Sequence, residues 1–111
     1  MHDDGEIYML NVLWFRPDGG AARYRDYLKA SWPVARKYGG VKLESYVPEE
    51  GVIGELDADL LFMVRWPNRQ SFEAFISDPE FHAIRHLREE AITKSLLIRC
   101  RPADAAHAEA R

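Results

Sequence analysis

The sequence predicts an α+β fold: one four-stranded antiparallel sheet with its helices on a single face. Two observations carry this. Residues 6–16, EIYMLNVLWFR, and 59–66, DLLFMVRW, are apolar on nearly both alternating faces, whereas 41–47, VKLESYV, and 93–101, TKSLLIRCR, alternate apolar with polar residues. Strands buried on two sides belong in the middle of a sheet and half-polar ones at its edges. Amphipathic helical stretches follow the first and third strands, which gives the order β-α-β-β-α-β.

Each element has its own local reason. In the first strand Ile7, Met9, Leu13 and Phe15 share one face, and Tyr8, Leu10, Val12 and Trp14 share the other. Pro17-Asp18-Gly19-Gly20 breaks it. The helix expected over 21–38 puts Tyr24, Tyr27, Leu28, Ala30, Val34, Ala35 and Tyr38 on one arc, with Arg25, Asp26, Lys29, Arg36 and Lys37 opposite. Pro33 falls on the wet side, where water satisfies the carbonyl freed at Lys29, so the expectation is a kink rather than a break. Gly39-Gly40 is the stop. The second strand carries Val41, Leu43 and Val47 against Lys42 and Glu44, and the loop PEEGVIGELDA leads to the third. Pro67 ends the third strand, Asn68 is placed to cap a short helix RQSFEAFI, and Asp78-Pro79 restarts the helix towards Ala91. The last strand sets Leu96, Ile98 and Cys100 against Ser95, Leu97, Arg99 and Arg101.

This is the split βαβ, ferredoxin-like plan, and two right-handed crossovers would place both helices on one side of the sheet. The expected domain runs from 6 to 102, with frayed ends at 1–5 and 103–111. The uncovered face would be apolar, so the expectation is a homodimer in which two such faces stack.

Composition narrows function. The chain has 111 residues, 47% hydrophobic and 30% charged, which suits one core. One cysteine, Cys100, allows neither an internal disulfide nor a thiol metal framework. A net charge of −3 gives no electrostatic footprint for nucleic acid. The start MHDDGEIYML is acidic where a secretory leader is basic, and no apolar run reaches the roughly 18 residues of a span, so no membrane association and a cytoplasmic location are expected.

The stretch SDPEFHAIRHLREEAI, 77–92, holds the residues of chemical interest. With Phe81 at zero and about 100° per residue, His82 and His86 fall at about 100° and 140°, while the buried direction is near 300°. Both histidines therefore face solvent, and no metal site is expected, because zinc needs further ligands. Arg88 falls at about 340°, inside the apolar arc, where a guanidinium must be paired or must reach water. It either packs its stem and snorkels, or it orients an anionic ligand in a cleft. The first helix supplies company, since its buried arc is centred near Ser31 and holds Tyr24 and Tyr27. The candidate site is thus Arg88 and Tyr27 as the chemically active pair, with Trp14, Tyr24, Ser31 and Trp66 as ligand-binding residues.

Tyr27, then Tyr38-Gly39-Gly40-Val41, Trp66-Pro67-Asn68, Phe72, Ser77-Asp78-Pro79-Glu80-Phe81 and Arg88 resemble in order and spacing the DUF1330 family of the dimeric α+β barrel superfamily. The resemblance covers residues 7 to 101. It implies the same fold and dimer, and no agreed activity. Other members of the superfamily include monooxygenases of the antibiotic-biosynthesis type that need no cofactor, and haem-degrading enzymes. Where the haem degraders carry a tryptophan and a histidine this chain has Phe75 and Arg85, although Asn11 matches an asparagine such enzymes place on the first strand.

Two functional readings follow. One is a dimer that binds or transforms a small organic acid or aromatic metabolite between helices and sheet, without a bound cofactor. The other is a non-catalytic dimeric module with no ligand pocket. A third, an RNA-binding sheet, fails on charge, and DLLFMVRW lacks the glycine of the usual RNA-binding strand.

Overall fold

The computed structural model describes residues 5–103. The elements run β1 (Ile7–Phe15), α1 (Gly20–Lys37), β2 (Val41–Tyr46), β3 (Leu60–Trp66), α2 (Arg69–Ile76), α3 (Pro79–Ala91) and β4 (Ile92–Cys100). The sheet order is β2-β3-β1-β4 with antiparallel neighbours, so the two apolar strands are central and the two amphipathic ones are edges. This is the ferredoxin-like arrangement. The ends expected to fray lie, apart from Gly5 and Ala103, outside the described residues.

Register assigns the faces. Ile7, Met9, Asn11 and Leu13 pair with Trp66, Val64, Phe62 and Leu60, and all eight point to the helices. Ile7, Met9, Leu13, Phe62, Val64 and Trp66 form the core with Tyr24, Tyr27, Val34 and Ala35 of α1, Phe75 of α2, and Phe81 and Ala91 of α3. The other face carries Tyr8, Leu10, Val12 and Trp14 opposite Cys100, Ile98, Leu96 and Lys94. Among the described residues no helix covers it, and Leu96 and Ile98 stand 40% and 46% exposed.

The helices start and stop for the reasons their sequences supply. Asn68 accepts the Ser71 N–H at 2.8 Å and opens α2. Asp78 opens α3, its Oδ1 accepting the Glu80 N–H at 2.7 Å, with Pro79 in the first turn. Its other oxygen accepts the Tyr38 hydroxyl, and Lys37 lies 3.6 Å away, so one carboxylate joins the end of α1 to the start of α3. α1 passes through Pro33, which is exposed as its phase requires.

Two details lay beyond local patterning. α3 runs straight into β4, and the buried Ala91 carbonyl accepts the Arg16 N–H at 2.9 Å. The first turn of α1 crosses so close to this corner that a Cβ on Gly20 would stand 2.4 Å from that oxygen. The β2–β3 loop is fastened at its return end: Asp59 N–H donates to the Leu13 carbonyl, Asp59 Oδ2 accepts Phe15 N–H, and Asp57 Oδ1 accepts the Trp14 indole N–H at 2.9 Å.

Leu13 is fully buried on a central strand, so Leu13→Ala should lower unfolding stability by about 2–5 kcal/mol, read from urea denaturation. The Tyr38 hydroxyl, aided by the Glu80 N–H and Lys37 and opposed by partial desolvation, holds the Asp78 carboxyl below its ordinary value. A depressed carboxylate adds stability above its unfolded pKa and loses it as pH falls through the lower folded value. Asp78→Asn should therefore be less stable than the wild type at pH 7, with the gap closing once pH drops below roughly 4. A gap that stays constant to pH 2.5 in urea midpoints would contradict the charge contribution.

Candidate functional site

A cavity of about 510 Å³ lies between the helices and their face of the sheet. Its floor is Met9 and Asn11 of β1 with Phe62 and Val64 of β3, and Ser95 and Leu97 of β4 close one edge. α1 contributes Tyr24, Tyr27, Leu28, Ser31, Trp32 and Ala35; α2 contributes Phe72, Phe75 and Ile76. Phe81, Arg85, Arg88 and Glu89 of α3 complete it, together with Trp66 at the end of β3.

Each polar group is placed by an element whose phase is fixed elsewhere. Tyr24, Tyr27 and Ser31 recur at three- and four-residue spacing on α1, so the helix that buries Val34 and Ala35 turns all three hydroxyls to the same side. Arg88 is half-buried because Phe81 and Ala91 anchor its helix against the sheet. Its guanidinium lies close enough to the Tyr24 and Tyr27 phenols to act on both electrostatically. Among the described residues Arg88 has no ion-pair partner; the neighbouring Arg85 is engaged by Glu89 at 3.5 Å.

Burial dominates the two phenols. It pushes the Tyr24 hydroxyl far above the ordinary phenol range, with the nearby Tyr27 adding to the rise and Arg88 only partly offsetting it. Burial raises Tyr27 as well, against the opposing influence of the Arg88 charge and the nearby Ser31 hydroxyl. Both phenols are therefore neutral at physiological pH. A guanidinium only donates, and a neutral phenol carries one proton that it can donate. The cavity thus offers guanidinium and phenol donors among aromatic walls, and among the described residues its carboxylate is Glu89, paired at the mouth.

Five of the six residues singled out in the sequence, Tyr24, Tyr27, Ser31, Trp66 and Arg88, line this one cavity. Trp14 does not. It belongs to the opposite face of β1, bonded to Asp57, with the Lys94 ammonium 4.5 Å from its ring centre, so it does not border the cavity. The aromatic walls that sequence reading left out are Phe72, Phe75, Phe81 and Trp32. Their signal was present, since Phe72 and Phe75 are three apart on a short capped helix, but apolar spacing alone does not separate a core ring from one that borders a cavity. His82 and His86 are both exposed.

Residues 19–99 match the domain of unknown function DUF1330. The chain belongs to the DUF1330 family. A crystal structure of the RPA0582 protein of unknown function from Rhodopseudomonas palustris resembles this DUF1330 chain with a TM-score of 0.84 and 31% identity, covering 91% of this chain and 85% of that one. Two more distant structures share the fold. A dimeric ferredoxin-like protein of unknown function from Jannaschia sp. CCS1 has a TM-score of 0.68 at 12% identity, over 88% of this chain and 100% of the other. A dimeric ferredoxin-like protein of unknown function from Bacteroides fragilis has a TM-score of 0.63 at 14% identity, over 88% and 97%. No curated protein matches the chain. No helix among the described residues is long and apolar enough to cross a membrane.

The raised phenols give a pH test with a definite sign. A group whose pKa is higher in the folded than in the unfolded chain adds stability in full below its unfolded value, and that stability is lost as pH rises through the folded value. Urea midpoints of the wild type should therefore fall steeply above about pH 10, where unfolded tyrosine ionises. Tyr24→Phe, which removes the most shifted phenol, should show a shallower fall over the same interval. Equal slopes would exclude Tyr24 burial as the cause.

Proposed function

We propose that this DUF1330 protein binds a small, planar organic acid of aromatic or enolic character in the cavity between helices and sheet, without a bound cofactor. The observation that carries the reading is Arg88: a half-buried guanidinium with no ion-pair partner among the described residues, facing two neutral phenols in an aromatic-walled space. Removing a charge from water calls for an anion or a dense set of hydrogen bonds in return, and a carboxylate matches the guanidinium fork. The volume lies within the range of roughly 300–1,000 Å³ common to small-molecule sites.

In this reading Arg88 holds the carboxylate or polarises an enolate oxygen, and Tyr27 donates a hydrogen bond or a proton to the developing charge. Tyr24 and Ser31 orient those two groups, and Trp66 stacks with the ligand. High phenol pKa values fit donors and not bases, so any catalysis would proceed by stabilising negative charge, with proton removal left to the substrate's own acidity or to water. The protein would act in the cytoplasm as a homodimer joined through the uncovered sheet face, a reading supported by exposed Leu96 and Ile98 and by the distant neighbours described as dimeric.

Thermal-shift measurements against one- and two-ring aromatic carboxylates and their keto-enol relatives test this. A binder should raise the wild-type Tm by several degrees, and Arg88→Ala should weaken its affinity by roughly 10- to 100-fold, the worth of a hydrogen bond to a charged group. Tyr27→Phe should weaken it less. Unchanged ligand response in Arg88→Ala, or no shift across the series with a mutant merely less stable, would favour a structural arginine instead.

A further inference from the structure

The floor of the cavity holds one residue out of keeping with its place. Of the eight side chains that β1 and β3 turn to the helices, seven are aliphatic or aromatic or Met9, and the eighth is Asn11. It is half-buried and borders the cavity, as do its cross-strand neighbours Phe62 and Leu97. An amide set into an apolar sheet face costs stability wherever its polar atoms lack partners, and an aliphatic side chain would fill the same position without that cost.

The orientation of the amide follows from its single partner. Asn11 Nδ2 donates to the Met9 carbonyl at 3.2 Å, two residues back on the same strand. A carbonyl only accepts, so the nitrogen is the atom that must face it; exchanging the two ends of the amide would set acceptor against acceptor. Oδ1 is thereby turned away from Met9. Among the described residues no donor reaches it, and it is not sealed from solvent-sized space. An amide oxygen has no proton to give, so the group it lacks is a donor. From the helices, Arg88 and the neutral phenols present protons to the cavity, whereas the sheet presents this acceptor.

We propose that Asn11 is a specificity-determining residue of the cavity, its Oδ1 accepting a hydrogen bond from a hydroxyl that the ligand carries apart from its carboxylate. The acids taken are then hydroxy-aromatic or enolic and still protonated at that hydroxyl. A bare ring, an ether or an ionised phenolate would displace the water that otherwise bonds Oδ1 and leave it facing carbon or a second acceptor. Sites built around such a bond reject analogues that lack the donor more strongly than apolar contacts reject a change of size. The inference rests on the binding reading above and narrows its ligand class.

Titration calorimetry on the full chain tests it, with benzoate and naphthoate as parent acids, each beside its hydroxy isomers and the matching methoxy ethers. The wild type should bind the best hydroxy acid at least about tenfold more tightly than the parent acid or the ether. In Asn11→Leu that ratio should fall to within about twofold, because the donor then meets carbon. The readout is a ratio within one protein, so a general change in packing cancels from it. Far-UV circular dichroism verifies folding, and Asn11→Ala gives the same reading should Asn11→Leu not fold. Arg88-dependent binding in which parent and hydroxy acids are equal overturns the role of Asn11 and leaves the cavity reading standing. The same holds where the ether binds as well as the hydroxy acid, or where the preference survives in Asn11→Leu. A wild type that binds none of these acids overturns both.

Discussion

A chain of ring contacts holds the layers of this molecule together. Phe72 meets Trp66 edge-on at 5.5 Å, Trp66 meets Phe75 at 5.0 Å, and Phe75 meets Phe81 at 4.5 Å. The chain continues through Tyr27 at 6.4 Å to Tyr24 at 5.4 Å, and from there to Phe15 and Phe62. All three helices and both central strands contribute. Tilted and edge-on pairs of this kind add directional preference to plain apolar burial, so the rings fix angles between layers that aliphatic packing would leave softer. The chain starts from a space that glycine leaves open: a Cβ on Gly40 would lie 2.9 Å from the Trp66 indole.

The cavity follows from the same packing. Rings that meet at edges leave more room between them than branched aliphatic side chains do, and the helices cannot close further without breaking the tilts. Arg88 is then set among apolar neighbours by a helix whose position was decided by Phe81 and Ala91. Burial keeps the two phenols protonated beside the Arg88 guanidinium.

Strand order was legible because a two-sided apolar run differs in kind from an alternating one, and helix starts were legible because Asn68 and Asp78 act on backbone groups two or three residues away. The phase of Arg88 was legible for the same reason, since α3 is regular over its whole length. Trp14 shows where such reading ends. Alternation already assigned it to the face away from the helices, but a large ring invites a role in a pocket, and its true partner, Asp57, is 43 residues distant. No periodicity reports a contact of that span. The shift in β2 between Lys42 and Ser45 escaped for a similar reason, because pairing with β3 decides it and not the segment's own pattern.

That shift has a consequence for the sheet's two open margins. β2 is six residues long and irregular in the middle, and its outer backbone groups do not form an even row. β4 is nine residues long and pairs with β1 continuously from Tyr8 to Trp14. A foreign strand seeking to lengthen the sheet by backbone hydrogen bonding meets a broken template on one side and an intact one on the other. Lys94 and Arg99 bracket the apolar centre of that intact margin, so charge performs there the discouragement of fibrillar growth that irregular geometry performs at β2.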